Sequence, residues 1–80
     1  MERSEIYERL QTVFCDVFDR EEIALSDATT AADVEGWDSL SHITLIAAIE
    51  DEFDITIPMK AVVHLENVGQ LADLIAELAR

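Results

Sequence analysis

Positive charge is scarce in this sequence: five lysines and arginines stand against eighteen aspartates and glutamates, for a formal net charge of -13 at pH 7. Such a surface repels phosphate backbones and anionic headgroups, which sets aside nucleic acid and membrane surfaces as partners and favours proteins with basic patches. The one cysteine, Cys15, has no second thiol with which to form an internal disulfide. That fits a reducing compartment, so the expected location is cytoplasmic. No apolar run approaches the roughly 20 residues that span a bilayer. The opening "MERSEIYERL" has neither the apolar core of a signal peptide nor the basic, acid-poor character of a transit peptide. Repeats and low-complexity tracts are missing too. His64 has no companion ligands at zinc spacing. A calcium loop begun at Asp27 fails because Thr29, Ala31 and Ala32 stand where acids, amides or glycine are needed. No metal site is expected.

Half of the residues are hydrophobic, so the chain should fold, and its length sets it as a single domain over residues 1–80. A chain this short buries only about 60% of its unfolded surface, which leaves little body for a catalytic cleft. Ile6, Leu10, Val13 and Val17 recur at helical spacing, widened by Tyr7, Phe14 and Phe18, with Glu5, Glu8, Arg9, Thr12, Asp16 and Asp19 on the other side. This pattern predicts a first helix from about Ser4 to Phe18. From Asp19 to Trp37 no period is sustained. Loops this long in compact domains are commonly functional or internally structured. Leu25 and Val34 are expected to tack it to the core, with Thr29 or Thr30 capping a single turn. Asp38 is a good N-cap for a second helix that runs to about Phe53. Pro58 then biases Ile57 away from helical geometry. "MKAVVHLE" has room for a short third helix only. Asn67, with Gln70 three residues on, caps a fourth that carries Leu71, Leu74, Ile75 and Leu78. The expected fold is all-α: a small four-helix bundle, three main helices plus one short one, with a long loop between the first and second.

The second helix carries two apolar sectors. At about 100° per residue, His42, Leu45, Ile46, Ile49 and Phe53 fall on the core face. Leu40, Ile43 and Ala47 form a separate strip, edged by Thr44, Glu50 and Asp51. An exposed apolar strip rimmed by acids would suit transient docking of a basic partner. Equally, the third helix and the long loop could cover it, and the pattern alone does not separate the two readings.

Ser39 lies at the leading end of this helix, between the sectors. As a hydrolytic nucleophile it would need a base, an orienting group and an oxyanion hole. His42 is one turn away, but "GWDSL" is not the G-x-S-x-G elbow and no third partner suggests itself. A phosphosite, or the anchor of a phosphate-linked group, makes better physical sense. The unpaired N–H groups and positive dipole end of a first turn favour a phosphodiester by about 0.3 to 1 kcal/mol. Asp38 opposes this by like-charge repulsion, so its benefit lies in capping or in recognition.

"DSL" at Asp38 to Leu40, heading a helix that ends "EDEFDITIP", resembles the acyl and peptidyl carrier proteins. The likeness takes in Leu25, "ADVEGWDSL", Leu45, Ile49, Phe53, Ile57-Pro58 and Val68, and covers about residues 5 to 79. It implies a covalent 4'-phosphopantetheine on Ser39, with Asp38 read alongside it, installed by a phosphopantetheinyl transferase. An acyl or aminoacyl group would ride on the arm's terminal thiol as a thioester. The chain would catalyse nothing and would pass its cargo, as a monomer, from a loading acyltransferase or ligase to downstream synthase enzymes. Leu40, Ile43, Ala47, Glu50 and Asp51 would be the docking residues, meeting basic patches.

The sequence departs from the fatty-acid carriers of the family, which typically have an acid directly after "DSL" and another three residues on. Here those positions are Ser41 and Thr44. The departure points to a discrete carrier of a specialised pathway, polyketide, nonribosomal peptide or similar. The competing class is a helical interaction adaptor with no prosthetic group. His42 is expected to be partly buried and hydrogen-bonded near the mouth of any acyl cavity, and Trp37 to staple the helix entry.

Overall fold

The computed structural model describes residues 2–79. Its helices are α1 (Arg3–Phe18), α2 (Ser39–Phe53), the single turn α3 (Met59–Val62) and α4 (Val68–Leu78). The three long helices lie within a residue or two of the sequence expectation, and the fold is the expected all-α bundle. α1 buries Ile6, Leu10, Val13 and Phe14 and packs against both α2 and α4. From α2 come Leu45, Ile46, Ile49 and Phe53, and from α4 Val68, Leu71, Ala72 and Ile75. Fully burying one such side chain contributes about 1.5 to 3 kcal/mol, so these stripes dominate stability.

α1 and α2 stop in the same way. Asp19 and Asp54 take left-handed geometry, at φ 52° and 54°, and their N–H groups bond to Cys15 O and Glu50 O. Aspartate tolerates this conformation because its short polar side chain bonds locally. Arg9 ties the two helices together: its Nε donates to Glu52 Oε2 at 2.9 Å, Nη2 donates to the Glu52 carbonyl at 2.5 Å, and the guanidinium lies 4.8 Å from the Phe53 ring centre.

The long connection is held by hydrogen bonds as well as by half-buried Leu25 and buried Val34. Thr30 opens the single 3₁₀ turn Ala31–Asp33, its N–H donating to Asp33 Oδ2 at 2.9 Å. The loop also completes α4. Val68 N–H donates to Thr29 O at 2.8 Å and Gly69 N–H to Asp27 O at 3.0 Å, while Asn67 Oδ1 accepts from Gln70 N at 2.8 Å. Each of the first three helix N–H groups thus has an acceptor, two of them supplied by the loop. Gln70 does not reach back to Asn67; its Oε1 accepts from Glu66 N instead. Arg3 clamps the same corner, donating to Asp73 Oδ1 at 2.6 Å and Asp27 Oδ1 at 2.9 Å, and Tyr7 donates its hydroxyl to Asp27. These donors hold the Asp27 carboxyl below the usual carboxylate range, the Tyr7 hydroxyl first and Arg3 next. The Tyr7 phenol is pushed up to about 12, by burial first and by Asp27 second, and so remains a donor.

Glycine at position 69 is a steric requirement. A Cβ there would meet Asp27 O at 2.8 Å and the Asp27 Cα at 3.1 Å. Glycine-to-alanine changes in helices ordinarily stabilise by about 0.4 to 1 kcal/mol. Gly69→Ala should instead cost about 1 to 3 kcal/mol in urea denaturation, because the loop backbone must retreat and loosen its bond to α4.

Candidate functional site

The approach to α2 begins at Gly36, whose φ of +92° suits glycine and turns the chain so that the next side chain enters the bundle. Trp37 packs edge-on against Phe14, with ring centres 5.3 Å apart, and against Phe18 at 6.4 Å. Fixing this indole fixes the start of the helix. Asp38 is then the N-cap, its Oδ1 accepting from Leu40 N at 3.0 Å and Ser41 N at 2.9 Å. Those bonds, the one from Ser41 foremost, hold its carboxyl below the usual range. Ser41 closes a reciprocal box: its Oγ accepts from Asp38 N at 2.8 Å and donates to Gly36 O at 2.7 Å. A hydroxyl at the third helical position here does what a glutamate does in the usual capping box.

Ser39 is the first residue of α2 and is exposed. Among the described residues its hydroxyl has no hydrogen-bond partner, whereas its neighbours Asp38 and Ser41 are fully engaged. It stands on the rim of a groove of about 460 Å³ between the start of α2 and α3. Trp37, His42 and Ile43 line one side, and Met59, Val62 and Val63 the other. A volume of this size is within the range of small-molecule sites. Exposed hydroxyl, first turn and adjoining apolar groove together fit a long phosphate-linked arm: the anchor needs solvent, and the arm needs somewhere to lie.

His42 sits one turn behind Ser39 and is half-buried. Trp37 Nε1 donates to its Nδ1 at 3.1 Å, and its Nε2 lies 3.3 Å from the Val62 carbonyl. An indole N–H can only donate, so Nδ1 is the acceptor and Nε2 carries the proton toward Val62. Both nitrogens are committed, to the Trp37 indole and the Val62 carbonyl. The serine–histidine hydrolase reading therefore has no general base. Trp37 staples the helix entry as expected, with the imidazole four residues past the cap as its packing partner, ring centres 6.0 Å apart.

The second apolar sector of α2 is not covered. Leu40 is 83% exposed and Ile43 55%, and Ala47 is open as well. Asp51 is exposed, but Glu50 is half-buried and its Oε2 accepts from Ile57 N at 2.7 Å. Glu50 thus braces the turn into α3 as well as edging the strip. Sequence reasoning missed the apolar surface that α3 adds, with Met59 67% and Val63 69% exposed. The signal was available, since "MKAVV" on a single turn has too many apolar side chains to bury. His64 is exposed, and Cys15 is half-buried with Gln11 Nε2 3.6 Å from its sulfur.

Comparison with known proteins bears on the same features. Residues 8–75 match the family model described as phosphopantetheine attachment site. The chain is similar to an acyl carrier protein of Caulobacter vibrioides, 34% identical over 74 residues that cover 92% of this chain and 95% of the relative. It is similar to one from Guillardia theta as well, at 35% over 79 residues, 96% and 95% of the two chains. Among solved structures, the holo acyl carrier protein of Geobacter metallireducens superposes with a TM-score of 0.82 at 39% identity, covering 89% of this chain and 82% of that one.

The box around Asp38 makes a testable unit. Ser41→Ala removes the Oγ bonds to Asp38 and Gly36 and should lower stability by about 1 kcal/mol, whereas Ser41→Glu, which restores the reciprocal acceptor, should keep it near wild type. Paired chemical denaturation curves measure the difference.

Proposed function

The chain belongs to the acyl and peptidyl carrier proteins, the family with a covalently attached 4'-phosphopantetheine, and from that premise we propose that Ser39 is the point of attachment. The carrying observation is its hydroxyl, exposed and unengaged at the first position of α2 on the rim of the groove. When bound, the arm supplies a terminal thiol that holds an acyl group as a thioester. The chain's own residues do the rest. Asp38 and Ser41 pin the turn that presents Ser39, Trp37 anchors that turn to α1, and the groove beside it receives the arm or its cargo. The chain itself catalyses nothing, and its partners are the transferase that installs the arm, a loading acyltransferase or ligase, and downstream synthase enzymes.

Docking of those partners is assigned to Leu40, Ile43 and Ala47, with Met59 and Val63 extending the apolar area across the groove. Asp51 and Glu50 supply negative charge at its edge. The pairing of a small apolar strip with acids favours fast, salt-sensitive encounters with basic surfaces over tight binding. A role in polyketide or related specialised biosynthesis is the finer reading. Ser41 and Thr44 support it, since both lack the charge that fatty-acid carriers typically place on this face. The cytoplasm is the compartment proposed for such a carrier.

Incubation with coenzyme A, magnesium and a promiscuous phosphopantetheinyl transferase should give a single adduct in the intact mass spectrum, abolished in Ser39→Ala. A wild-type chain that stays unmodified under conditions that load a control carrier would sink the assignment and favour the adaptor. For docking, Ile43→Glu should reduce transfer from a cognate loading enzyme by about tenfold or more, the loss of one apolar anchor of roughly 1.4 kcal/mol. Its melting temperature should stay within a few degrees of wild type, because the residue is more than half exposed.

A further inference from the structure

His42 lies between Ser39 and the core face of α2. It faces the groove from one turn below the serine, and the next residues on the same helical face, Leu45, Ile46 and Ile49, are already core. We propose, resting on the carrier reading, that His42 is the specificity-determining residue of this protein: bonded to Trp37 and Val62, it bars the passage between α2 and α3, so that cargo loaded at Ser39 lies in the outer groove and alkyl chains are kept out of the core. The cargo class that follows is short or polar acyl groups.

Three observations carry this. The imidazole is held from both sides, by the Trp37 indole at 3.1 Å and the Val62 carbonyl at 3.3 Å, and the indole is itself wedged against Phe14 and Phe18. A chain moving inward must displace the ring and leave an indole N–H, a carbonyl and two ring nitrogens without partners in a largely apolar setting, which is unfavourable. Next, the wall that would have to give way is α3, a single turn whose first residue has no side-chain cap. Its polar ties across to α2 are few: His42 to Val62 O at one end, and Glu50 to Ile57 N just before it. The histidine thus latches the element that would otherwise swing. Behind it, Leu45, Ile49 and Ile75 have no exposed surface, and Leu71 almost none. The space open to cargo is the groove of about 460 Å³, polar where Asp38, Ser39 and Glu66 line it and apolar toward Ile43, Met59 and Val63, with a smaller hollow of about 140 Å³ next to it between Ala47, Glu50 and Ile57.

The test loads the wild-type protein with an octanoyl group through a phosphopantetheinyl transferase and octanoyl-coenzyme A, checks the single mass adduct, and compares methyl NMR spectra with the unacylated holo form. Shifts should be confined to Ile43, Met59 and Val63, with Leu45, Ile49, Leu71 and Ile75 unmoved. In His42→Ala the core methyls should move on octanoylation, and release of the acyl group by hydroxylamine should slow by about fivefold or more, the population change expected when one buried hydrogen bond no longer holds the latch. If His42→Ala does not fold, Trp37→Phe removes only the indole donor and should give the same changes at smaller amplitude. Long-range nitrogen correlation spectra of the wild type should find Nδ1 of His42 as the acceptor and the ring proton on Nε2. Core shifts in the octanoylated wild type, or protonation on Nδ1, overturn the latch while leaving the carrier reading intact. A chain that accepts no adduct overturns both.

Discussion

Everything distinctive about this molecule depends on how the first turn of α2 is closed. A helix start has unpaired N–H groups that some acceptor must satisfy. Here Asp38 and Ser41 satisfy each other's backbone, and Ser41 is fastened in turn to the Gly36 carbonyl. Ser39 is thereby left as the one residue of the turn with an outward, unengaged hydroxyl. Had the cap been made by the serine itself, its oxygen would be occupied. The absence of an acid after "DSL" can be understood in these terms. A hydroxyl supplies the same reciprocal bond, so the position can lose its charge without losing the turn. The change alters what a partner meets on this face and leaves the geometry of attachment alone.

The molecule is braced unevenly. Arg3, Tyr7, Asp27, Gly69 and Asp73 draw α1, the loop and α4 into one corner, and loop carbonyls complete the start of α4. Individually such surface ion pairs contribute little. Combined with the close approach at Gly69, they make a corner in which the loop cannot shift without exposing helix N–H groups. At the groove end, by contrast, α3 is one turn long and is tied to α2 by single bonds from His42 and Glu50. Regions with few buried contacts and few hydrogen bonds are those that open at low cost. With so few ties, the position of that wall depends on the His42 and Glu50 bonds far more than the braced corner depends on any one of its own.

Much of this was legible in the sequence, and the exceptions share a cause. The stripes of α1, α2 and α4 follow from helical periodicity, and Asp38 and Asn67 cap where their chemistry predicts. Ser39, Leu40, Ile43 and Ala47 are exposed because they lie outside the stripe formed by Leu45, Ile46, Ile49 and Phe53. What could not be read was anything set by contacts between elements distant in sequence. Periodicity placed His42 on the core face but gave no sign that its ring would bridge Trp37 and Val62. Glu50 read as a surface acid, yet the fold brings Ile57 N–H to it. Nothing in the sequence singles out Gly69, and only the arrival of Asp27 makes it obligatory. Whether α3 would cover the apolar strip was open for the same reason.

Charge and apolar surface combine here in a way that bears on how partners would be met. Among the described residues, Arg3, Arg9 and Arg20 are each spent on an internal ion pair, with Asp27 and Asp73, Glu52, and Glu35 respectively. Among the described lysines and arginines only Lys60 projects without one, and it lies on α3. The scarcity of basic residues is therefore deeper on the surface than in the composition, because most of the few present neutralise acids in place. A basic partner would be drawn from a distance by the unpaired acids, with a range of about 8 Å at physiological ionic strength. Contact would then fall to Leu40, Ile43, Met59 and Val63, a patch too small for tight binding by itself. Attraction that is long-ranged but screened, followed by contact that is specific but slight, gives rapid arrival and rapid release. A carrier that must visit several enzymes within one cycle needs both, and a larger apolar face would slow the second step.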